Sequence, residues 1–218
     1  MTGTARPIRL VLLGPPASGK GTQGRRLASG LGLAYLSTGA LLREHVEAGS
    51  PLGELARPVL ARGEYLPDDL MCRILGEWLA AHAGGWVLDG FPRSLHQALF
   101  LDDWLEERSL SLNAAVSLEA PLDELLNRIR RRVECPECRW SGQNVQAPGN
   151  ACPDCANLVV PRADDHEENF LKRHAEFSRL TRPVIGHYHS RGLLFSCQAT
   201  ASEDEVARTL LNRFMPNP

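Results

Sequence analysis

The sequence lacks several features that would define other classes of protein. None of its apolar runs approaches the length of a membrane span, and no apolar leader precedes the first apolar run at Ile8. The formal net charge of −2 argues against a bulk electrostatic partner such as duplex DNA or an anionic membrane. There is no internal repeat and no low-complexity tract. These absences favour a cytoplasmic protein that acts on small molecules, with no nucleic-acid or membrane partner.

What the sequence does contain is enough apolar residues for a substantial core. Hydrophobic residues make up 43% of the 218 positions, which suits one compact domain with insertions. Five short apolar runs alternate with helical stretches, and this alternation predicts an α/β fold, a five-stranded parallel sheet with helices on both faces. The runs are Ile8–Leu13, Leu33–Leu36, Trp86–Leu88, Ala114–Leu118 and Leu193–Ser196.

Two segments interrupt the alternation and read as insertions. Residues 37–67 are mostly helical in pattern, with Gly and Pro between the helices. Residues 131–165 are rich in loop-forming residues and contain two pairs of cysteines. We therefore predict a core domain made of residues 1–36, 68–130 and 166–218, from which the two insertions project.

The segment Gly14–Thr22 has the composition of a phosphate-binding loop. It lies between the first apolar run and a helical stretch, Gln23–Leu31. Backbone N–H groups of such a loop surround an anion, and the helix N-terminus adds positive potential. Lys20 could reach the outer phosphates of a nucleotide, and the Thr22 hydroxyl could serve Mg²⁺. The alternative is a glycine-rich turn that precedes an ordinary helix.

The third strand ends in a carboxylate, and a candidate ligand-binding run follows it. In phosphate-loop enzymes an aspartate at the position of Asp89 commonly holds Mg²⁺, although it can also be a simple strand cap. Gly90 permits close approach of a ligand, and Arg93 could pair with a phosphate through two hydrogen bonds. Gln97 could recognise the edge of a base through its amide.

Four of the six cysteines have metal-ligand spacing. Cys135 and Cys138 form one CxxC pair, and Cys152 and Cys155 form a second one. Two such pairs supply four thiolates in tetrahedral reach, which is typical of a structural zinc site, with iron as the open alternative. The two other cysteines, which lie in apolar surroundings, are predicted to be core residues. A nucleic-acid-binding ribbon is a weaker interpretation, because few aromatic residues accompany the cysteines.

Arginines recur at helical spacing beside the second insertion. Arg128 and Arg132 are four residues apart in an amphipathic stretch, so we expect them on one face of one helix. Arg162 and Arg173 are eleven residues apart and would align if a single helix carried both. Phosphoryl transfer requires cations around the transferred group, which guanidinium groups provide well. We expect the neighbouring Arg130 and Arg131 to form a solvated helix face.

Taken in order, these motifs resemble the adenylate kinase family of nucleoside monophosphate kinases, in its long-lid, zinc-containing form. The matching runs are Gly19–Gln23, Ser37–Gly39 with Arg43, Asp89–Arg93, Arg128 with Arg132, Arg162–Asp165 and Arg173. The resemblance implies a phosphate-loop core sheet, a helical insertion that binds the nucleoside monophosphate (NMP), and a zinc-ribbon-like lid. It also implies a Mg²⁺-dependent, reversible reaction in which ATP and AMP give two ADP. We expect the chain to act as a monomer.

The resemblance also assigns residues to the two nucleotides and to the reaction. The expected ATP-binding residues are Gly14, Ala17, Ser18, Gly19, Lys20, Gly21, Thr22, Arg128, Arg132, Ser141, Gly142 and Ala201. The expected AMP-binding residues are Thr38, Arg43, Glu64, Tyr65, Leu66, Gly90, Phe91, Pro92, Arg93, Gln97, Arg162 and Arg173. The expected catalytic residues are Lys20, Asp89, Arg93, Arg132, Arg162 and Arg173.

The chain departs from the family pattern at several positions. Ala17 replaces a glycine of the loop, which would cost about 1 kcal/mol if that position has a positive φ. Ala40 stands where aspartate is common, and Ala201 replaces a lysine of the last adenine-contacting loop. Trp140 could stack on the ATP base in place of the usual lid residues. Two alternatives therefore remain: a related kinase with a different donor (GTP) or acceptor nucleotide (UMP or CMP), and a catalytically weak nucleotide-binding protein.

Overall fold

A computed structural model describes residues 7–82, 84–138, 140–162 and 165–215, so both ends of the predicted core lie outside the described residues. Its strands are β1 (Arg9–Leu13), β2 (Ala34–Ser37), β3 (Trp86–Asp89), β4 (Ala114–Glu119), β5 (Arg132–Glu134), β6 (Ser141–Gln143), β7 (Val160–Pro161) and β8 (Leu194–Gln198). Its α-helices are α1 (Lys20–Leu31), α2 (Thr38–Glu47), α3 (Pro51–Ala61), α4 (Asp68–Ala81), α5 (Leu95–Glu106), α6 (Leu122–Arg131), α7 (Glu167–Glu176), α8 (Arg182–Ser190) and α9 (Glu203–Phe214).

The predicted five-stranded parallel sheet is confirmed. Its strands lie in the order β2-β3-β1-β4-β8, and each neighbouring pair is parallel. The register places Asp89 beside Leu12 of β1 and beside Ser37 of β2. The carboxyl end of β3 therefore lies next to the start of the Gly14–Thr22 loop and next to the start of α2.

Helices cover both faces of the sheet, as expected for buried parallel strands. On one face, Leu10 and Leu12 of β1 pack with residues of α1 and α9, such as Leu27 and Leu210. On the other face, Val11 of β1 packs in a larger cluster with residues of α4, α5 and α8. Alternate residues of β1 thus belong to different cores, and all of them are buried because β1 is the central strand.

The helices of the first insertion are delimited by serine caps. The Ser37 side chain accepts a hydrogen bond from the Ala40 N–H at the start of α2, and Ser50 accepts one from Gly53 at the start of α3. A Cβ atom at Gly53 would lie 1.9 Å from the carbonyl oxygen of His45. Only glycine therefore allows α3 to pack this closely against the end of α2.

The second insertion contains more regular structure than its sequence suggests. The strands β6, β5 and β7 form a small antiparallel sheet beside the cysteines. Val133 of β5 is buried there in a cluster with Cys135, Cys152 and Val159. This apolar cluster is small, in keeping with the few apolar residues of the segment, and we refer to residues 131–165 as the lid segment.

The expectation that Arg128 and Arg132 share one helix face is wrong. Helix α6 ends at Arg131, and Arg132 has extended torsion angles (φ −72°, ψ 131°) at the start of β5. The chain leaves the helix here because β5 pairs on both sides, with β6 and with β7, and buries Val133 between them.

Arg162 and Arg173 do not lie on one helix either, because α7 begins only at Glu167. The condition under which they would align is therefore not met. Arg162 lies in the segment that connects β7 to α7. Among the helices that the structure describes, none has the length and apolar character needed to cross a membrane.

Candidate active site

Two neighbouring cavities open at the carboxyl ends of the central strands. The larger one, of about 700 Å³, runs along the Gly14–Thr22 loop to the start of α9, and we call it the loop cavity. The smaller one, of about 470 Å³, lies between α2, α3 and α7, and we call it the helical cavity. Both cavities share lining residues, among them Arg43, Tyr65, Arg93 and Arg173. A ligand in one cavity would therefore adjoin a ligand in the other.

Most of the predicted site residues meet at these cavities. Every residue predicted to bind ATP lines the loop cavity. Every residue predicted to bind AMP lines one or both cavities, with one exception. The exception is Phe91, whose side chain is completely buried and makes an edge contact with Phe100 in the core. Its predicted contact with AMP has no support from this side chain.

The Gly14–Thr22 loop has the geometry of an anion-binding turn. Gly14 and Gly19 have positive φ angles of 142° and 92°, and helix α1 begins at Lys20, three residues earlier than predicted. A Cβ atom at Gly14 would lie 2.5 Å from the Leu118 carbonyl oxygen of β4. Ala17 also has a positive φ, 63°, so the loop carries the backbone strain that its sequence implied.

Lys20 lies at the centre of this loop. Its ammonium group donates hydrogen bonds to the carbonyl oxygens of Gly14 and Pro15, each over 2.8 Å. Burial lowers the pKa of Lys20 to about 8, although the nearby Asp89 carboxylate opposes this shift. Arg93, Arg173 and Arg132 lower the pKa of Lys20 further through charge repulsion. This density of cations around one lysine indicates a site for a polyanion.

The Asp89 carboxylate is buried at the end of β3, with 8% of the residue exposed. The hydroxyl of Tyr35 donates a hydrogen bond to Asp89 Oδ2 over 3.1 Å. Burial, followed by the Asp89 charge, raises the pKa of Tyr35, so this hydroxyl remains a donor. The oxygen chemistry of Asp89, with Thr22 lining the same cavity, fits a hard cation such as Mg²⁺.

Arginines of α6 and of the lid segment also line the loop cavity. Arg128 donates to Glu124 Oε1 over 2.8 Å and also to the carbonyl oxygen of Ala199. Arg132 forms a two-pronged ion pair with Asp165, and only 16% of its side chain is exposed. Arg162 lies 3.8 Å from a carboxylate oxygen of Glu134. Carboxylates thus hold three cationic side chains at the cavity wall.

The helical cavity contains a cation and an amide in fixed positions. Arg93 donates from Nε to the Gly90 carbonyl oxygen over 2.8 Å, and its guanidinium group lies 4.3 Å from the centre of the Tyr65 ring. The Gln97 amide oxygen accepts a hydrogen bond from the Arg93 backbone N–H over 2.8 Å. Thr38 donates to the Gly90 carbonyl oxygen over 2.9 Å. These contacts fix the backbone around Gly90 beside the cavity.

Trp140 does not stack in the loop cavity as the sequence suggested. Its ring packs directly against Gly142, where a Cβ atom would lie 2.4 Å from the ring, and it joins the apolar cluster of the lid segment. The absence of a side chain at Gly142 allows this packing.

Several residues of the site were not identified from sequence. Arg25, Arg26 and Arg131 line the loop cavity. Arg130 and Arg131 are both exposed, as expected for a solvated helix face, and Arg130 pairs with Glu167. Arg25 and Arg26 lie three and four residues after Thr22, about one helical turn beyond the loop, and this spacing was the available signal.

The four predicted metal ligands converge. The sulfur atoms of Cys135, Cys138, Cys152 and Cys155 all lie within 4.8 Å of one another. The pair Cys135–Cys155 is separated by 3.5 Å and the pair Cys138–Cys152 by 3.4 Å. A tetrahedral zinc with bonds of about 2.3 Å would hold sulfur atoms about 3.8 Å apart, so the cluster fits a zinc ion. The other two cysteines, Cys72 and Cys197, are buried in the core as predicted.

Comparison with known proteins gives a consistent result. A family model described as adenylate kinase matches residues 12–193 of this chain. An adenylate kinase of Thermodesulfovibrio yellowstonii is 38% identical over 208 residues, which are 93% of this chain and 97% of the relative. An adenylate kinase of Thermus thermophilus is 39% identical over 197 residues, covering 90% and 91% of the two chains. An adenylate kinase of Archaeoglobus fulgidus is 35% identical over 204 residues, covering 91% and 94%.

Proposed function

The chain belongs to the adenylate kinase family, and on that basis we propose that it transfers the γ-phosphoryl group of MgATP reversibly to AMP, giving two ADP. The observation that carries this proposal is the convergence of Lys20, Asp89 and a set of arginines on one cavity that adjoins a second one. Two adjacent nucleotides fit two adjacent cavities. We assign ATP to the loop cavity and AMP to the helical cavity.

The cations of the site would bind and orient the phosphates. Lys20 would exchange its hydrogen bonds to the Gly14 and Pro15 carbonyl oxygens for bonds to phosphate oxygens, which carry more negative charge. Arg93 and Arg173 line both cavities, so they suit the phosphates that lie between the two nucleosides. Because phosphoryl transfer depends on alignment and charge stabilisation, these fixed cations are the main protein contribution to catalysis.

Asp89 and Thr22 are the groups that would hold Mg²⁺ near the loop. When bound with ATP, the ion neutralises phosphate charge and orients the transferred group. The Asp89 charge partly offsets the effect of burial on the pKa of Lys20. Asp89 therefore supports both the metal and the charged state of Lys20.

We propose the division of the chain on the same reasoning. Residues 1–36, 68–130 and 166–218 would form the core, residues 37–67 the AMP-binding insertion, and residues 131–165 the lid. Closure of the lid over ATP would exclude water, which otherwise competes with AMP for the phosphoryl group. The contact between Gln146 Nε2 and Glu203 Oε2, 3.1 Å apart, joins the lid segment to α9 across the cavity mouth.

The cysteine cluster would bind one structural zinc ion. Four thiolates complete a tetrahedral shell, so the ion has no open position and would take no part in the reaction. Its contribution would be to stabilise a segment whose own apolar cluster contains only a few residues.

The test is direct measurement of ADP formation from MgATP with AMP, UMP, CMP and GMP as acceptors. We expect AMP to be preferred, and the Lys20→Ala variant to lose at least about a hundredfold in kcat while it remains folded. Lys172→Ala is the matched control, because Lys172 is exposed and pairs only with Glu168 among the contacts described. Unchanged turnover in Lys20→Ala, or preference for another acceptor, would contradict the proposal.

A further inference from the structure

A carboxylate lies directly behind Gln97 and outside both cavities. Asp68, the first residue of α4, accepts a hydrogen bond at Oδ1 from Gln97 Nε2 over 2.6 Å. Its Oδ2 accepts one from the Ser94 hydroxyl, also over 2.6 Å. Ser94 in turn caps α5 by accepting a hydrogen bond from the Gln97 backbone N–H. Gln97 is only 2% exposed, so these contacts form in a buried environment.

These contacts allow the Gln97 amide only one of its two orientations. The Arg93 backbone N–H can only donate, and it faces the amide oxygen over 2.8 Å. The Asp68 carboxylate can only accept, and it faces the amide nitrogen. A rotation of the amide by 180° would place donor against donor at Arg93 and acceptor against acceptor at Asp68. Both mismatches would be buried, where unsatisfied polar groups are costly.

We propose that Asp68 is a positioning residue that sets the base selectivity of the acceptor site, by locking the amide of Gln97 in the orientation that recognises a 6-aminopurine. The proposal rests on the assignment of AMP to the helical cavity, which Gln97 lines and Asp68 does not. Asp68 therefore acts through Gln97 rather than by contact with the nucleotide.

The selectivity follows from the bonding positions that remain on the amide. With one bond made at each end, the oxygen keeps one lone pair and the nitrogen keeps one hydrogen. Adenine presents an amino donor beside an unprotonated ring nitrogen, which matches this acceptor and donor. Hypoxanthine and guanine present a carbonyl oxygen beside a ring N–H, which is the reverse pattern. A freely rotating amide could match either purine, whereas a locked amide rejects the 6-oxopurines.

The experiment compares kcat/KM for AMP and for IMP, which differ at this edge of the base. Asparagine at position 68 can present either an oxygen or an amino group to Gln97. Asp68→Asn therefore removes the constraint on the amide nitrogen and keeps the one that the Arg93 N–H places on the amide oxygen. We expect the AMP-to-IMP ratio to fall about tenfold in this variant, as for the loss of one charge-assisted hydrogen bond. Asp69→Asn is the matched control, because Asp69 is exposed and faces His96 at 3.3 Å. Its ratio should stay at the wild-type value.

The outcomes separate the proposal from its alternatives. If Asp68 merely holds α4 to α5, KM will rise alike for AMP and IMP, and an unchanged ratio would overturn the proposal. The unsubstituted enzyme gives a second measurement that does not depend on the folding of a variant. It should prefer AMP to IMP by at least about a hundredfold, and comparable use of the two would refute a locked amide. Failure to phosphorylate AMP at all would instead overturn the proposed function.

Discussion

The hydroxyl of Tyr35 donates a hydrogen bond to the Asp89 carboxylate between two neighbouring strands of the sheet. The two residues lie on adjacent strands, β2 and β3, and their oxygen atoms are 3.1 Å apart. The ring of Tyr35 packs on Gly24 of α1, where a Cβ atom would lie 2.6 Å from it. Tyr35 therefore fixes one oxygen of the proposed Mg²⁺ ligand and is itself fixed by close packing.

We expect Tyr35→Phe to weaken the use of Mg²⁺ without unfolding the chain. The ring can still pack on Gly24, but the Asp89 carboxylate loses the donor that orients it. Loss of such an orienting partner typically costs tenfold or more, so the Mg²⁺ concentration for half-maximal rate should rise about tenfold. The measurement is initial rate against free Mg²⁺ at saturating nucleotides.

Tyr188→Phe supplies the matched control for this variant. Tyr188 is fully buried, and its hydroxyl has no hydrogen-bond partner within the described part of the chain. It lies on α8, outside both cavities. Removal of the Tyr188 hydroxyl should leave the Mg²⁺ dependence of the rate unchanged. If Tyr188→Phe and Tyr35→Phe changed it equally, a specific role for Tyr35 would be excluded.

The lowered pKa of Lys20 predicts a pH dependence of ATP capture. Burial lowers this pKa to about 8, so the free enzyme loses the Lys20 charge as the pH rises through that value. Since kcat/KM reports the free enzyme, kcat/KM for ATP should fall above about pH 8. Bound phosphates favour the charged ammonium group, so kcat at saturation should fall only at higher pH. Identical profiles for kcat and kcat/KM between pH 7 and 9.5 would contradict this expectation.

Ala17→Gly should stabilise the fold slightly. Alanine at a φ of 63° costs about 1–2 kcal/mol, and glycine removes that strain but adds about 0.5–1 kcal/mol of unfolded-state entropy. The net gain in the free energy of unfolding should be a few tenths to about 1 kcal/mol, measured by denaturant titration. Ala80→Gly on the exposed side of α4 is the control and should destabilise by about 1 kcal/mol.

Cys152→Ser should reduce metal content and thermal stability together. Removal of one of four thiolates opens the tetrahedral shell, so we expect less than one zinc per chain and a lower Tm. Activity well below the new Tm should largely survive, because the ion takes no part in the proposed reaction. Cys197→Ala, which changes a buried core cysteine, should keep its full metal content. Purified reduced protein without bound metal would exclude a zinc site.

Local patterns in the sequence were sufficient for the frame of the fold. The five strands and the turn around Lys20 were predictable because each depends on residues that are close in sequence. The end of α6 at Arg131 was not predictable, because the helix ends there as a result of the pairing of β5 with β6 and β7. The position of the Trp140 ring could not be predicted for a related reason. Its packing against Gly142 depends on how the whole lid segment folds.

Residues that orient others were the hardest to find from sequence. Tyr35 lies 54 positions from Asp89, and Asp68 lies 29 positions from Gln97. Neither spacing has a periodic signature, and neither residue belongs to a motif. Such pairs are brought together by the register of β2 with β3 and by the packing of α4 on α5. Only the folded chain reveals them.

The walls of the loop cavity carry ten basic side chains and six acidic ones, whereas the whole chain has a net charge of −2. Net positive charge is therefore concentrated at the cavity, whereas the remaining residues of the sequence are net negative. Diffusing nucleotides would be guided to the opening, and the association rate should decrease as ionic strength shortens the range of that field. The uneven distribution of charge thus favours fast encounter between the cavity and a small anion such as a nucleotide.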